Sequence, residues 1–152
     1  MWKKVALGLM VLWVISVSFI GYKVIYGNAK NVDTRVEITL LPVEKDFVLG
    51  EMRLLLEGLK GIISGLANDN LEEVRIAARG NGMAMAQDAN PALILKLPLE
   101  FQNIGMGVHK SFDILADNIK GKSSREILNE VNSIMDSCVG CHATYKLEVE
   151  RQ

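Results

Sequence analysis

Ser123-Ser124-Arg125-Glu126-Ile127-Leu128-Asn129-Glu130-Val131-Asn132-Ser133-Ile134-Met135-Asp136-Ser137-Cys138-Val139-Gly140-Cys141-His142-Ala143-Thr144-Tyr145-Lys146 carries both the helical signature and the chemistry of this chain. Ser123-Ser124-Arg125-Glu126 has the Ser-x-x-Glu spacing of a capping box, so a helix is expected to start there. Ile127, Val131, Ile134, Cys138, Cys141 and Tyr145 then recur every three or four residues and share one helical face. Both cysteines therefore fall on the face that turns toward a core. With the next residue they spell Cys138-Val139-Gly140-Cys141-His142, C-x-x-C-H, the attachment signature of a c-type haem. Two thiols three positions apart can each add to one vinyl group of the ring. The imidazole that follows is then placed beneath the iron, for which it is a common axial ligand.

Cys138 and Cys141 are the only cysteines in the chain, so no other thiol competes. A zinc site would need four ligands, which the chain could approach only by recruiting its other histidine, His109. A redox dithiol is the remaining reading, but it belongs with a βαβ context that the sequence lacks. Ten residues follow His142 and none is Met or His. Any protein-derived sixth ligand must come from upstream, and the haem hangs on the last structural element.

Upstream, the helical pattern appears three more times. The first segment, about 46–68, carries Val48, Leu49, Met52, Leu55, Leu56, Leu59, Ile62, Ile63 and Leu66 on one face. Gly50, Gly58, Gly61 and Gly65 lower its propensity and suit a close helix crossing. The second, about 71–89, has Asn70 as N-cap with Glu72 and Glu73 in its first turn, and Asn90-Pro91 closes it. Its Met83 and Met85 read as packing residues. The third starts near Pro98, expected at the first helical position, and runs to about 119–120. Phe101, Ile104, Val108, Phe112, Leu115 and Ile119 form its stripe, and Gly121 is expected to stop it. Four amphipathic helices with short connections predict an all-α fold, an antiparallel four-helix bundle over residues 46–152. Residues 27–45 read as a tether. Val36, Ile38 and Leu40 alternate with polar residues, but one strand alone has no partner, and Leu41-Pro42 disfavours a helix.

Residues 1–26 read as a transmembrane anchor or signal segment. Val5 to Tyr22 is a run of 18 residues without a formal charge, about the shortest that spans a bilayer core. Trp2 and Trp13, with Tyr22 and Tyr26, add aromatic weight, Tyr22, Lys23 and Tyr26 suit an interfacial position, and Lys3 and Lys4 favour a cytoplasmic N-terminus. The rival is a signal peptide cleaved after Gly27-Asn28-Ala29, leaving a soluble periplasmic protein. Its apolar core would exceed the usual ~7–15 residues, which favours the anchor. Either way the remainder is exported, which for a bacterium is the periplasmic face of the inner membrane. Residues 1–30 hold four of the 17 basic residues and none of the 18 acidic ones, so the rest carries 13 against 18, a net of −5. Nucleic acid, which wants a basic face, is excluded as a partner. The expected partners are the membrane, a membrane-associated redox protein and a second copy of the chain.

A C-x-x-C-H motif ending the fourth helix of a four-helix segment resembles the class II c-type cytochromes, cytochrome c-prime and its low-spin relatives. The resemblance covers residues 46–147. It implies one covalent haem c held by Cys138 and Cys141, with His142 as proximal ligand. The tyrosine and basic residue that follow the motif in that family correspond to Tyr145 and Lys146, lysine standing where arginine is usual; lysine lacks arginine's planar fork. The family's distal residue comes from the first helix, where Met52 is the candidate, with Leu55 or Leu56 as apolar alternatives. His109 departs from the family pattern. It is a second distal candidate, with Asp113 one turn on to orient it, or else a rim histidine paired with Asp113. No positioned acid, base or second cofactor argues for an enzyme. The expectation is an electron carrier, the alternative being a five-coordinate protein that binds nitric oxide or carbon monoxide, decided by the distal pocket.

Overall fold

The computed structural model describes residues 2–27, 33–87 and 89–150. It is mostly helical and divides into two units, Met1–Thr34 and Arg35–Gln152. The first is one helix, α1 (Trp2–Tyr26), with no buried residue. It is long and apolar enough to cross a membrane, and a signal sequence has the same character. The cleavage position expected after Ala29 lies outside the described residues.

The second unit runs β1 (Val36–Leu40), α2 (Pro42–Ala67), α3 (Leu71–Gly80), α4 (Met83–Ala86), α5 (Pro91–Ile94), α6 (Leu99–Asp117), α7 (Ser124–Thr144) and β2 (Tyr145–Val149). The unit is thus mostly helical with one pair of short strands, and β1 and the start of α2 fall within the span read as a tether. β1 finds its partner at the far end of the chain: β1 and β2 pair in parallel, with Val36 opposite Tyr145 and Leu40 opposite Val149. A parallel pair needs a long crossover, and here the crossover is the whole helical body. Ile38 and Leu40 turn inward and are buried, which supplies the packing that two strands lack by themselves. Pro42 does not stop α2 but opens it, its missing N–H being one that the first turn leaves unpaired. The Leu41 N–H instead donates to the Glu44 carboxylate at 2.8 Å.

Two apolar cores form around the helices. Leu59 and Ile62 of α2, Val74 and Ala78 of α3, Val108, Phe112 and Leu115 of α6, and Ile127, Val131 and Ile134 of α7 share the larger one. Val48, Leu93, Phe101 and Tyr145 gather around Ile38 and Leu40 in the smaller one. The α2–α3 crossing is built on glycine. A β-carbon on Gly61 would lie 2.8 Å from that of Ala77, and one on Gly65 2.7 Å from Val74 Cγ2, whereas Gly50 faces open space.

The segment expected as one helix over 71–89 is broken at Asn81-Gly82. Asn81 turns inward, where its Nδ2 donates to the Leu55 carbonyl at 3.0 Å. Its own carbonyl lies 2.8 Å from His109 Nδ1. At Gly82 the missing side chain admits the Asp113 carboxylate, which accepts the Met83 N–H at 2.8 Å. Three tertiary hydrogen bonds thus replace the helical ladder at this point. Ser123 and Glu126 form the expected capping box, and Asn70 caps α3 by accepting the Glu73 N–H. Pro98 caps α6 instead of opening it, and α6 ends at Asp117, with Gly121 at φ +82° in the turn beyond.

Candidate functional site

The last three turns of α7 bring both cysteines to the seam between the two cores. Cys138 packs on the larger core and Cys141 on the smaller. Between them opens a cleft of about 260 Å³. α2 contributes Met52, Leu55, Leu56 and Leu59, and α6 contributes Phe101, Ile104 and Val108. α7 closes it with Ser137, Cys138, Cys141 and His142. Met52 is half-buried, Leu56 is 67% exposed, and His142 lies exposed at the mouth.

Burial pushes both thiols up from the ordinary thiol range, and Cys138 adds a further upward push on Cys141. Among the described residues no group of three or more His, Cys, Asp or Glu gathers that could hold a metal ion. The cleft combines apolar walls with two thiols a helical turn apart and an adjacent imidazole.

No protein-family model, curated protein or solved structure matches the chain. The reading of the cleft rests on the residues that line it.

The structure brings Met52, Cys138, Cys141 and His142 to one cleft and leaves His109 out of it. His109 is buried with Nδ1 on the Asn81 carbonyl, and its ring lines a second cavity on another side of α6. His109 thus lies apart from the cysteine cleft, while Asp113 remains close enough to feel its charge. That carboxylate is held by Arg79 and the Met83 N–H, contacts that lower its pKa, the Met83 bond most. Met83 and Met85 do not line the cysteine cleft. Tyr145 sits behind the motif, its ring edge-on to Phe101 at 5.4 Å and its hydroxyl donating to Glu100 at 3.1 Å. Lys146 pairs with Glu37 across the strands at 3.1 Å. The arginine near the motif comes from elsewhere: Arg35 Nη1 donates to the His142 carbonyl at 3.3 Å. The alternation of residues 36–40 was the available signal for that return of the chain.

Proposed function

We propose that this chain is a membrane-anchored c-type cytochrome that carries electrons on the exported side of the membrane. One haem c is held through Cys138 and Cys141, with His142 as proximal ligand. The observation that carries this reading is that a complete C-x-x-C-H motif lines an apolar cleft faced by Met52. On this reading α2, α3, α6 and α7 form an antiparallel four-helix bundle of the class II kind, with α3 interrupted.

Haem bound there supplies an iron that takes up and releases one electron. Cys138 and Cys141 would hold the ring covalently, each thiol adding across a vinyl group with no atom lost. Leu55, Leu59, Ile104 and Val108 exclude water from the cleft and lower its dielectric, one of the protein's controls on potential. Arg35 and the β1–β2 pair hold the backbone just beyond His142. Met52, which lines the cleft from α2, would be the residue to hold the iron opposite the motif. The five-coordinate, gas-binding reading draws on one observation, that three leucines of α2 line the same cleft.

Extraction of the denatured protein with acidic organic solvent should leave haem attached; free release would overturn the assignment. The reduced wild type should resist carbon monoxide, while Met52→Leu should bind it. Ready binding by the wild type, unaltered in Met52→Leu, would select the gas-binding reading.

A further inference from the structure

The second cavity has no part in the reading above. It offers about 250 Å³ between α2, the 93–97 stretch and α6. Phe47 and Val48 line it from α2, Leu93 and Leu97 from the stretch before α6, and Phe101 and Met106 from α6. Two ionisable side chains interrupt these apolar walls: Glu51 of α2, with one carboxylate oxygen buried, and His109, more than nine-tenths buried. Its Nδ1 faces a backbone carbonyl at 2.8 Å. A carbonyl only accepts, so the neutral ring carries its proton on Nδ1 and keeps a lone pair on Nε2. The other amide on this wall is committed, since Gln102 Nε2 donates to the carbonyls of Ile94 and Leu97 at 2.9 and 2.7 Å.

We infer that this cavity is a binding site for a small aromatic alcohol of the phenol or quinol class, its hydroxyl donating to His109 Nε2. The ring of such a molecule packs against Phe47 and Phe101, and the Met106 thioether suits an aromatic edge. The hydroxyl supplies the one donor that the buried imidazole can use. A site with a buried acceptor discriminates strongly against an analogue lacking the donor, because the acceptor is then left unpaired. Phe101 and Gly105 line both this cavity and the cysteine cleft, so an occupant lies across α6 from the motif. The inference uses neither cysteine nor His142, and stands or falls apart from the haem reading.

The chain has two histidines, which makes their side-chain NMR signals simple to follow in the full-length, detergent-solubilised protein. Phenol should perturb the His109 signals saturably and bind about tenfold more tightly than toluene, its isostere without the donor. His109→Leu should erase that preference. Met106→Trp leaves the His109–Asn81 contact in place while filling the cavity, and should abolish binding of both probes. Equal affinities for phenol and toluene in the wild type would overturn the proposal. So would an undiminished preference in His109→Leu, or wild-type phenol binding in Met106→Trp.

Discussion

At the scale of single residues, Asn81 joins three helices. It links the Leu55 carbonyl of α2 to His109 of α6 from the end of α3, and Gly58 is what makes room for it. A β-carbon at Gly58 would lie 1.8 Å from Asn81 Nδ2, far inside contact distance. Gly58→Ala should therefore expel the Asn81 amide from the α2 carbonyl, despite alanine's better helix propensity. We expect a loss of about 1–3 kcal/mol in denaturant unfolding, from strain together with an unpaired buried carbonyl. Gly50→Ala, facing open space, should be neutral or slightly stabilising. Asp113 gives a pH-dependent counterpart. Its pKa is held below the ordinary 3.8 by the Met83 N–H and by Arg79. A depressed folded-state pKa contributes stability that is complete above the unfolded value and lost as pH falls through the folded one. Asp113→Asn should thus be less stable than wild type at neutral pH, with a gap that narrows as pH falls below about 3.8. Thermal unfolding across that range checks the sign, and a constant gap would exclude this linkage.

At the scale of elements, α7 was legible because its capping box and apolar stripe are local and agree with each other. The same holds for the Asn70 cap and the α6 stripe. What the sequence hid was non-local. The interruption at Asn81-Gly82 depends on Leu55, His109 and Asp113, which lie 26 to 32 residues away along the chain and leave no periodic trace. The β1–β2 pairing joins segments at opposite ends of the folded unit, so residues 36–40 alternate without any local sign of a partner. His109 sat one residue from an apolar stripe, and only the inward turn of Asn81 decided that it is buried. At the candidate site the stripe of α7 put both cysteines on its inward face, and Cys138 and Cys141 do pack on the two cores. The strands have their own consequence. Leu40 is 1% exposed and lies in the core shared with Phe101 and Tyr145. Leu40→Ala should cost about 2–5 kcal/mol. Hydrogen exchange of the Leu147 and Val149 amides should accelerate before that of the α6 core, because the strand pair depends on this anchor. Uniform acceleration across the unit would mean that the strands unfold only together with the helices.

On the scale of the whole molecule, the two units differ in character. Arg35–Gln152 holds both apolar cores and all the acidic charge but Asp33. α1 buries nothing, and at 25 residues it reaches roughly 37 Å, more than the ~30 Å hydrocarbon core. Its only charged residues are Lys3 and Lys4 near one end and Lys23 near the other, where long side chains can reach headgroups. A helix of this length with interfacial aromatics at its ends is better suited to staying in a bilayer than to transient recognition as a secretory h-region, usually ~7–15 residues. The full chain should therefore remain in membranes washed with high salt and then with alkali, which strip proteins held by charge or by a partner. A chain starting at Asp33 should be released into the soluble fraction while keeping the thermal transition of the folded unit, since that unit has its own cores. Mass spectrometry of the protein from cells decides between the two fates of α1. A mature chain carrying residues 2–26 supports the anchor, and one beginning at Lys30 would make α1 a cleaved signal and the cytochrome proposed here a diffusing one.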